Sequence, residues 1–170
     1  RALRVGGLQH HNLSVRGGTG TMGYFLSVNN NEETGVFFNN FANRLGGRGN
    51  FDVEVNPKLN LNSQVSYTRT HTRFPLNSNA SNGLLRNSMR GRARAQTAPW
   101  EAGYLGFSPD VTNEHDLQNR IDRTTLGLTG NWTPISWFVN RLTLGMDRQS
   151  YVETGFTGLD TTGRAPWGTI

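Results

Sequence analysis

Cysteine is absent from all 170 residues. Its absence excludes a disulfide scaffold and a thiolate metal site, and is compatible with an exported protein that avoids stray thiols. Lysine is almost absent as well: Lys58 stands alone among arginines, which carry the formal net charge to +5. Long apolar runs are also missing, and nothing approaches the roughly 18 residues that a membrane-crossing helix needs. Only 34% of the residues are hydrophobic, whereas a soluble globular domain runs nearer to about 45–50%. Disorder would explain that scarcity, but 10% aromatic residues and a visible alternation of side chains argue against it. No Met begins the chain and no charged-then-apolar leader is visible. The opening "RALRVGGLQHH" reads as the middle of something, so a fragment or processed chain is expected.

The alternation is what the sequence has in abundance. In "NRLGGRGNFDVEV", residues 43–55, Leu45, Phe51, Val53 and Val55 fall on one parity with glycines, while Arg44, Arg48, Asn50, Asp52 and Glu54 fall on the other. This is the pattern of a strand at a boundary between water and an apolar phase. After the turn signal "NPK", residues 59–72 put Leu59, Leu61, Val65 and Tyr67 on one face, with Asn60, Asn62, Gln64, Ser66, Thr68 and Thr70 on the other. The two runs make a hairpin whose strands far exceed the usual 5–6 or so residues. They suit the roughly 9–11 residues of a tilted membrane strand. A second such hairpin spans about 120–153: Leu126, Leu128, Gly130 and Trp132 share a face, "TPIS" turns the chain, and Phe138, Leu142, Leu144 and Met146 return. A third spans 11–31, where Leu13 and Val15 lead to a Gly17-Gly18-Thr19-Gly20 corner and then to Tyr24, Leu26 and Val28.

Between the later hairpins lies a stretch of about 73–119, rich in Asn, Ser, Gly and Arg, without a sustained period. A soluble domain rarely carries so long a structureless loop. Outer-membrane barrels alternate tight turns with long external loops as a rule. Trp132, Trp137 and Phe138 flank the Pro134 turn, where an interfacial aromatic girdle would sit; they would equally pack the edge of a soluble sandwich. The expected fold class is all-β, an antiparallel up-and-down transmembrane β-barrel segment of long hairpins, with residues 1–170 part of one barrel domain. On this reading Leu45, Phe51, Val53, Leu61, Val65 and Tyr67 face lipid, and Asp52, Glu54, Asn60 and Gln64 face the lumen. Six strands are too few to close a barrel, since single-chain bacterial barrels start at about eight. The sheet edges therefore need the remainder of the barrel or another chain.

"HNLSVRGGTGTMGYFLSVNNNEETG", residues 11–35, resembles a strand pair in SusC/RagA-type TonB-dependent outer-membrane transporters. The likeness lies in His11 to Ser14, the Gly17 to Thr19 corner, Tyr24 to Ser27, and the acidic end Glu32 to Gly35. "NRLGGRGNFDVEVNPKLNLNSQVSYTRT" is similar to the family's next hairpin, so the likeness covers about residues 11–72. It implies a segment of a transporter for active uptake of glycans or peptides, in the cell outer membrane. It also implies a SusD-like lipoprotein partner, and TonB acting through a plug domain and TonB box not visible in this chain. The alternative is a soluble or surface-exposed β-sheet binding or structural module without transport activity.

Chemistry-bearing motifs are few. His10-His11, His71 and His115 do not make a metal site: adjacent histidines point apart on a strand, and no carboxylate cluster joins them. No G-x-S-x-G elbow supports a hydrolase. "GGTGTMG" lacks the lysine of a phosphate loop and precedes a strand, so it is a turn. No enzyme, cofactor or metal is expected. "LLRNSMRGRARAQTAPWEAGYLGF", residues 84–107, is the most distinctive loop: Arg86, Arg90, Arg92 and Arg94 precede Trp100, Tyr104 and Phe107. A solvated loop touching lipid headgroups is the plainer reading. The sharper one is a ligand-contact surface, with arginine forks for anions and aromatic faces for sugar or peptide. Nucleic acid is not expected, since no recognised module appears.

Overall fold

The computed structural model describes residues 3–76, 79–91 and 103–157. Six strands follow one another: β1 (Gly7–Gly18), β2 (Met22–Thr34), β3 (Phe41–Asn56), β4 (Leu59–Phe74), β5 (His115–Ile135) and β6 (Phe138–Thr157). They form a single sheet in the order β1-β2-β3-β4-β5-β6, every pair antiparallel. The fold class is thus all-β, an up-and-down meander of long hairpins. Two short helices, α1 (Leu84–Met89) and α2 (Pro109–Thr112), lie in the connection between β4 and β5. No described helix is long and apolar enough to cross a membrane.

Register fixes the faces. Directly opposed residues of an antiparallel pair share a face, and the pairings Tyr24↔Phe51, Val53↔Leu61, Val65↔Leu126 and Leu128↔Leu144 carry one apolar face from β2 to β6. Leu13↔Val28 and Val15↔Leu26 extend it to β1. Leu45, Phe51, Val53, Leu61, Val65 and Tyr67 all lie on it. The opposite face carries Asp52↔Asn62, Glu54↔Asn60 and Asn50↔Gln64, continued by Thr129↔Thr143. This face is concave: a hollow of about 500 Å³ crosses β2 to β6 and is lined mainly by it, including Phe25, Asn50, Asp52, Asn62, Gln64 and Thr143.

The apolar face is convex and uncovered. Leu13, Val28, Leu142 and Leu144 are each more than half exposed. Among the described residues the buried apolar ones are Leu84 and Val111, both in the β4–β5 connection. The sheet therefore has no core of its own, and its strands are held by backbone pairing and cross-strand contacts. One such contact sits at the first hairpin, where the Tyr24 ring lies over Gly17; a Cβ there would come within 2.6 Å of the phenol oxygen. The glycine leaves the space that the ring fills, an aromatic cover for a bare stretch of strand.

The three hairpin turns lie at one end of the sheet. Thr19 N–H donates to the Met22 carbonyl (2.7 Å), and the Asn56 side chain accepts from Lys58 N–H (2.9 Å). The "TPIS" turn expected from sequence is displaced: β5 runs through Thr133-Pro134-Ile135, and the reversal falls at Ser136-Trp137. The pairing slips between Trp132 and Ile135, and an irregularity of this kind accommodates a proline that cannot donate to the ladder. Thr133 N–H instead donates to the Lys58 carbonyl, tying this turn to the β3–β4 turn (2.8 Å).

Candidate functional site

Two surfaces carry chemistry: the concave face and the β4–β5 connection. Along the concave face, amides and hydroxyls link along and across strands. Asn60 Nδ2 donates to Asp52 Oδ1 (2.9 Å) and Asn62 Nδ2 to Asn60 Oδ1 (2.6 Å). Arg48 Nε donates to Asn50 Oδ1 (3.2 Å), and the Thr129 and Thr143 hydroxyls meet at 3.2 Å. Arg123 on β5 pairs with Asp147 on β6, its Nε donating to Oδ1 at 3.0 Å. The surface offers donors and acceptors in alternation, with its charges paired or spread among amides. Such a wall suits hydrated polar solutes or a polar protein surface. The described residues bring together no group of three potential metal ligands.

The β4–β5 connection is built around Asn87, which is 1% exposed. Its Nδ2 donates to the carbonyls of Ser81 (2.9 Å) and Gly83 (2.8 Å). Its Oδ1 accepts from Gly106 N–H (3.1 Å) and Phe107 N–H (3.2 Å), and its own carbonyl accepts from Leu105 N–H (3.0 Å). One buried side chain thus bonds backbone groups from two segments and fixes residues 105–107 against α1. The backbones come close enough that Gly91 admits no side chain: a Cβ there would lie 1.9 Å from the Gly103 carbonyl oxygen. The connection docks on the sheet through His115, whose ring bonds to Asn82 Nδ2 (2.8 Å) and Thr157 Oγ1 (3.0 Å). Burial lowers the His115 pKa below the ordinary imidazole value.

Of the residues singled out by sequence, Arg90 caps the C-terminal end of α1 and is exposed, while Tyr104 and Phe107 are half-buried in the facing segment. The Asn87 bonds and the Gly91 approach bring the Arg90 and 104–107 segments together. Arg92, Arg94 and Trp100 lie outside the described residues. Sequence reasoning missed Asn87 and both helices. A signal for α2 was present in Ser108-Pro109-Asp110, an N-cap residue followed by proline at the first helical position.

At the turn end of the convex face, Trp132, Trp137 and Phe138 form an edge-on aromatic group with ring centroids 6.4 and 6.2 Å from Phe138. The apolar band continues above it on the same face.

No family model matches the chain, and no curated protein does either. Among solved structures it is similar to the RagAB peptide importer in its closed-closed state, with a TM-score of 0.64 and 16% sequence identity over 86% of this chain. The chain spans 18% of the length of that structure's chain. The likeness is one of fold, and the fold is that of a segment of a barrel wall.

Proposed function

We propose that the chain is a segment of an outer-membrane TonB-dependent transporter of the SusC/RagA type, serving active uptake of glycans or peptides. The observation that carries this reading is the two-sidedness of the sheet: an uncovered apolar convex band backs a polar concave face. Water on the convex side would leave Leu13, Leu142 and Leu144 solvated, whereas hydrocarbon there and water in a lumen satisfy both faces. Among the described residues the outer edges of β1 and β6 have no strand partner; such edges call for further strands, which the rest of the barrel would supply. The likeness to a peptide importer and the motif resemblance over about residues 11–72 support the same class. The segment itself has no enzymatic role. Coupling to TonB and pairing with a SusD-like lipoprotein belong to other parts of such a transporter. The β4–β5 connection lies at the end opposite the tight turns, on the external side, where Arg90, Tyr104 and Phe107 would meet substrate or partner.

Extraction tests the reading. The protein should fractionate with outer membranes and stay dispersed only in detergent. A monomer soluble without detergent would refute the transporter assignment and favour a surface-exposed β-sheet module.

A further inference from the structure

The apolar face does not run the full height of the sheet. Above Tyr67 on β4, the residues that continue the same face are Arg69, His71 and Arg73. On β5, Asp122, Arg120 and Asp116 follow Leu126, and on β6 Arg148 follows Met146. Register sets these side by side: Tyr67 opposes Thr124, which opposes Arg148, and His71 opposes Arg120. Arg69 Nε pairs with Asp122 Oδ1 at 2.6 Å, and Arg73 Nε with Asp116 Oδ1 at 2.8 Å. Arg120 and Arg148 enter none of the described ion pairs, and both are exposed. Two carboxylates thus meet four guanidinium groups, leaving a net positive patch on the outward face of β4–β6. The same face of β1–β3 holds Gln9, His11, Asn30, Glu32 and Asn43 at these levels, with no arginine. The excess is local.

Its height is set by the apolar band. Arg148 stands two positions beyond Met146, about 7 Å along the strand, and Arg120 six positions beyond Leu126, about 20 Å. A strand tilted by roughly 45° shortens these to about 5 and 14 Å above the last apolar row. The polar layer of a phospholipid leaflet is about 5–8 Å deep. Arginine side chains reach back toward that layer along their apolar stems, and their planar forks match phosphate oxygens.

We propose that Arg120 and Arg148, framed by the Arg69–Asp122 and Arg73–Asp116 pairs, form a docking surface for phosphorylated lipid headgroups in the leaflet on the long-loop side. The inference rests on the membrane reading above. The two ion pairs hold Arg69 and Arg73 in place, and the two unpaired arginines supply the charge that phosphate neutralises. The occupant is a lipid because the patch continues the apolar band without a break, so acyl chains and headgroup are met by one continuous surface.

The absence of native cysteine makes single labels possible. A fluorophore on S150C would report the patch, one on N140C the turn end, and one on L144C the band. The protein is reconstituted in phosphatidylcholine vesicles, and quenching by brominated phosphatidate is compared with quenching by brominated phosphatidylcholine. At S150C, phosphatidate should be preferred by about tenfold or more at low salt. R120Q/R148Q should abolish that preference, R120K/R148K should largely keep it, and N140C should show none. Equal quenching by both lipids at S150C, or a preference that survives R120Q/R148Q or appears equally at N140C, overturns the inference and leaves the membrane reading standing. Quenching of L144C by brominated phosphatidylcholine, in the wild type and in R120Q/R148Q, reports insertion itself. Its failure in the wild type sinks both readings.

Discussion

Leu144 and Thr143 are neighbours in sequence, yet the fold puts them on opposite faces of the sheet, and the proposed transporter reading puts those faces in different solvents. Leu144 opposes Leu128, which opposes Ser63. That row lies four positions from Trp132 on one side and four from Thr124, the partner of Tyr67, on the other. Four residues are about 13 Å of strand, so the aromatic limits lie about 10 Å above and below when the strand tilts by roughly 40°. On the proposed membrane reading Leu144 is therefore at the midplane; it is 57% exposed on the convex face. Thr143 opposes Thr129 on the polar face and lines the hollow. Leu144→Arg should cost about 2–4 kcal/mol, while Thr143→Arg should cost less than about 1 kcal/mol, since a lumen position is hydrated. The difference of about 1–4 kcal/mol corresponds to about fivefold to nearly a thousandfold in the folding equilibrium constant. Urea unfolding of the protein in phospholipid vesicles measures it, provided unfolding is reversible and the slope is unchanged. Equal losses at the two positions, or a greater loss at Thr143, would refute the assignment of faces. The chosen register is what makes the test severe, because a slip of one residue exchanges the two sides of a strand.

The same contrast is expected of Val53→Arg against Asn60→Arg, from the same measurement. Asn87→Ala should remove the acceptor of the part-buried Gly106 and Phe107 N–H groups, about 1 kcal/mol for each bond lost, seen as faster hydrogen exchange at residues 103–108 with the sheet amides unchanged. Gly91→Ala should loosen the same segment, since its Cβ would meet the Gly103 carbonyl oxygen at 1.9 Å; an unchanged exchange pattern there would contradict the close approach. His115 has a lowered folded pKa, so the unfolded segment binds a proton more readily. Docking of the β4–β5 connection should be full above the ordinary value of 6.5 and weaken as pH falls through it toward the lowered folded value. His115→Gln should flatten that profile in pH-dependent proteolysis of the connection.

The strands were legible because each carries an apolar and a polar face, which writes an alternation into every one of them. Leu61, Val65 and Tyr67 alternate with Asn60, Gln64 and Ser66, and the structure puts each set on its own side. The turn at Ser136-Trp137 was misread because Pro134 usually breaks a ladder, and a pairing irregularity absorbed it. The helices were illegible for a different reason. At six and four residues they are shorter than the window in which a helical period can show, and α1 is held by a buried amide rather than by an apolar stripe. The basic patch on β4–β6 lay half in view. The series Leu61, Val65, Tyr67, Arg69, Arg73 passes from apolar to basic along one face, but Arg69 and Asp122 become neighbours only through pairing across the long connection.

Every strand pairs only with its sequence neighbours, and this bears on how such a wall is assembled. Hairpins closed by two- or three-residue turns can form within microseconds, each without waiting for the others. The β4–β5 junction is different, since the chain between Phe74 and His115 must first bring distant ends together. By loop-closure entropy, a connection of about forty residues costs about 2–3 kcal/mol more than a two-residue turn. A connection already folded around Asn87 has fewer freely moving residues, and part of that cost is met before β4 and β5 meet. The order of events would then be two early units, β1–β4 and β5–β6, joined late by a pre-shaped external hinge, with the free edges of β1 and β6 closed last.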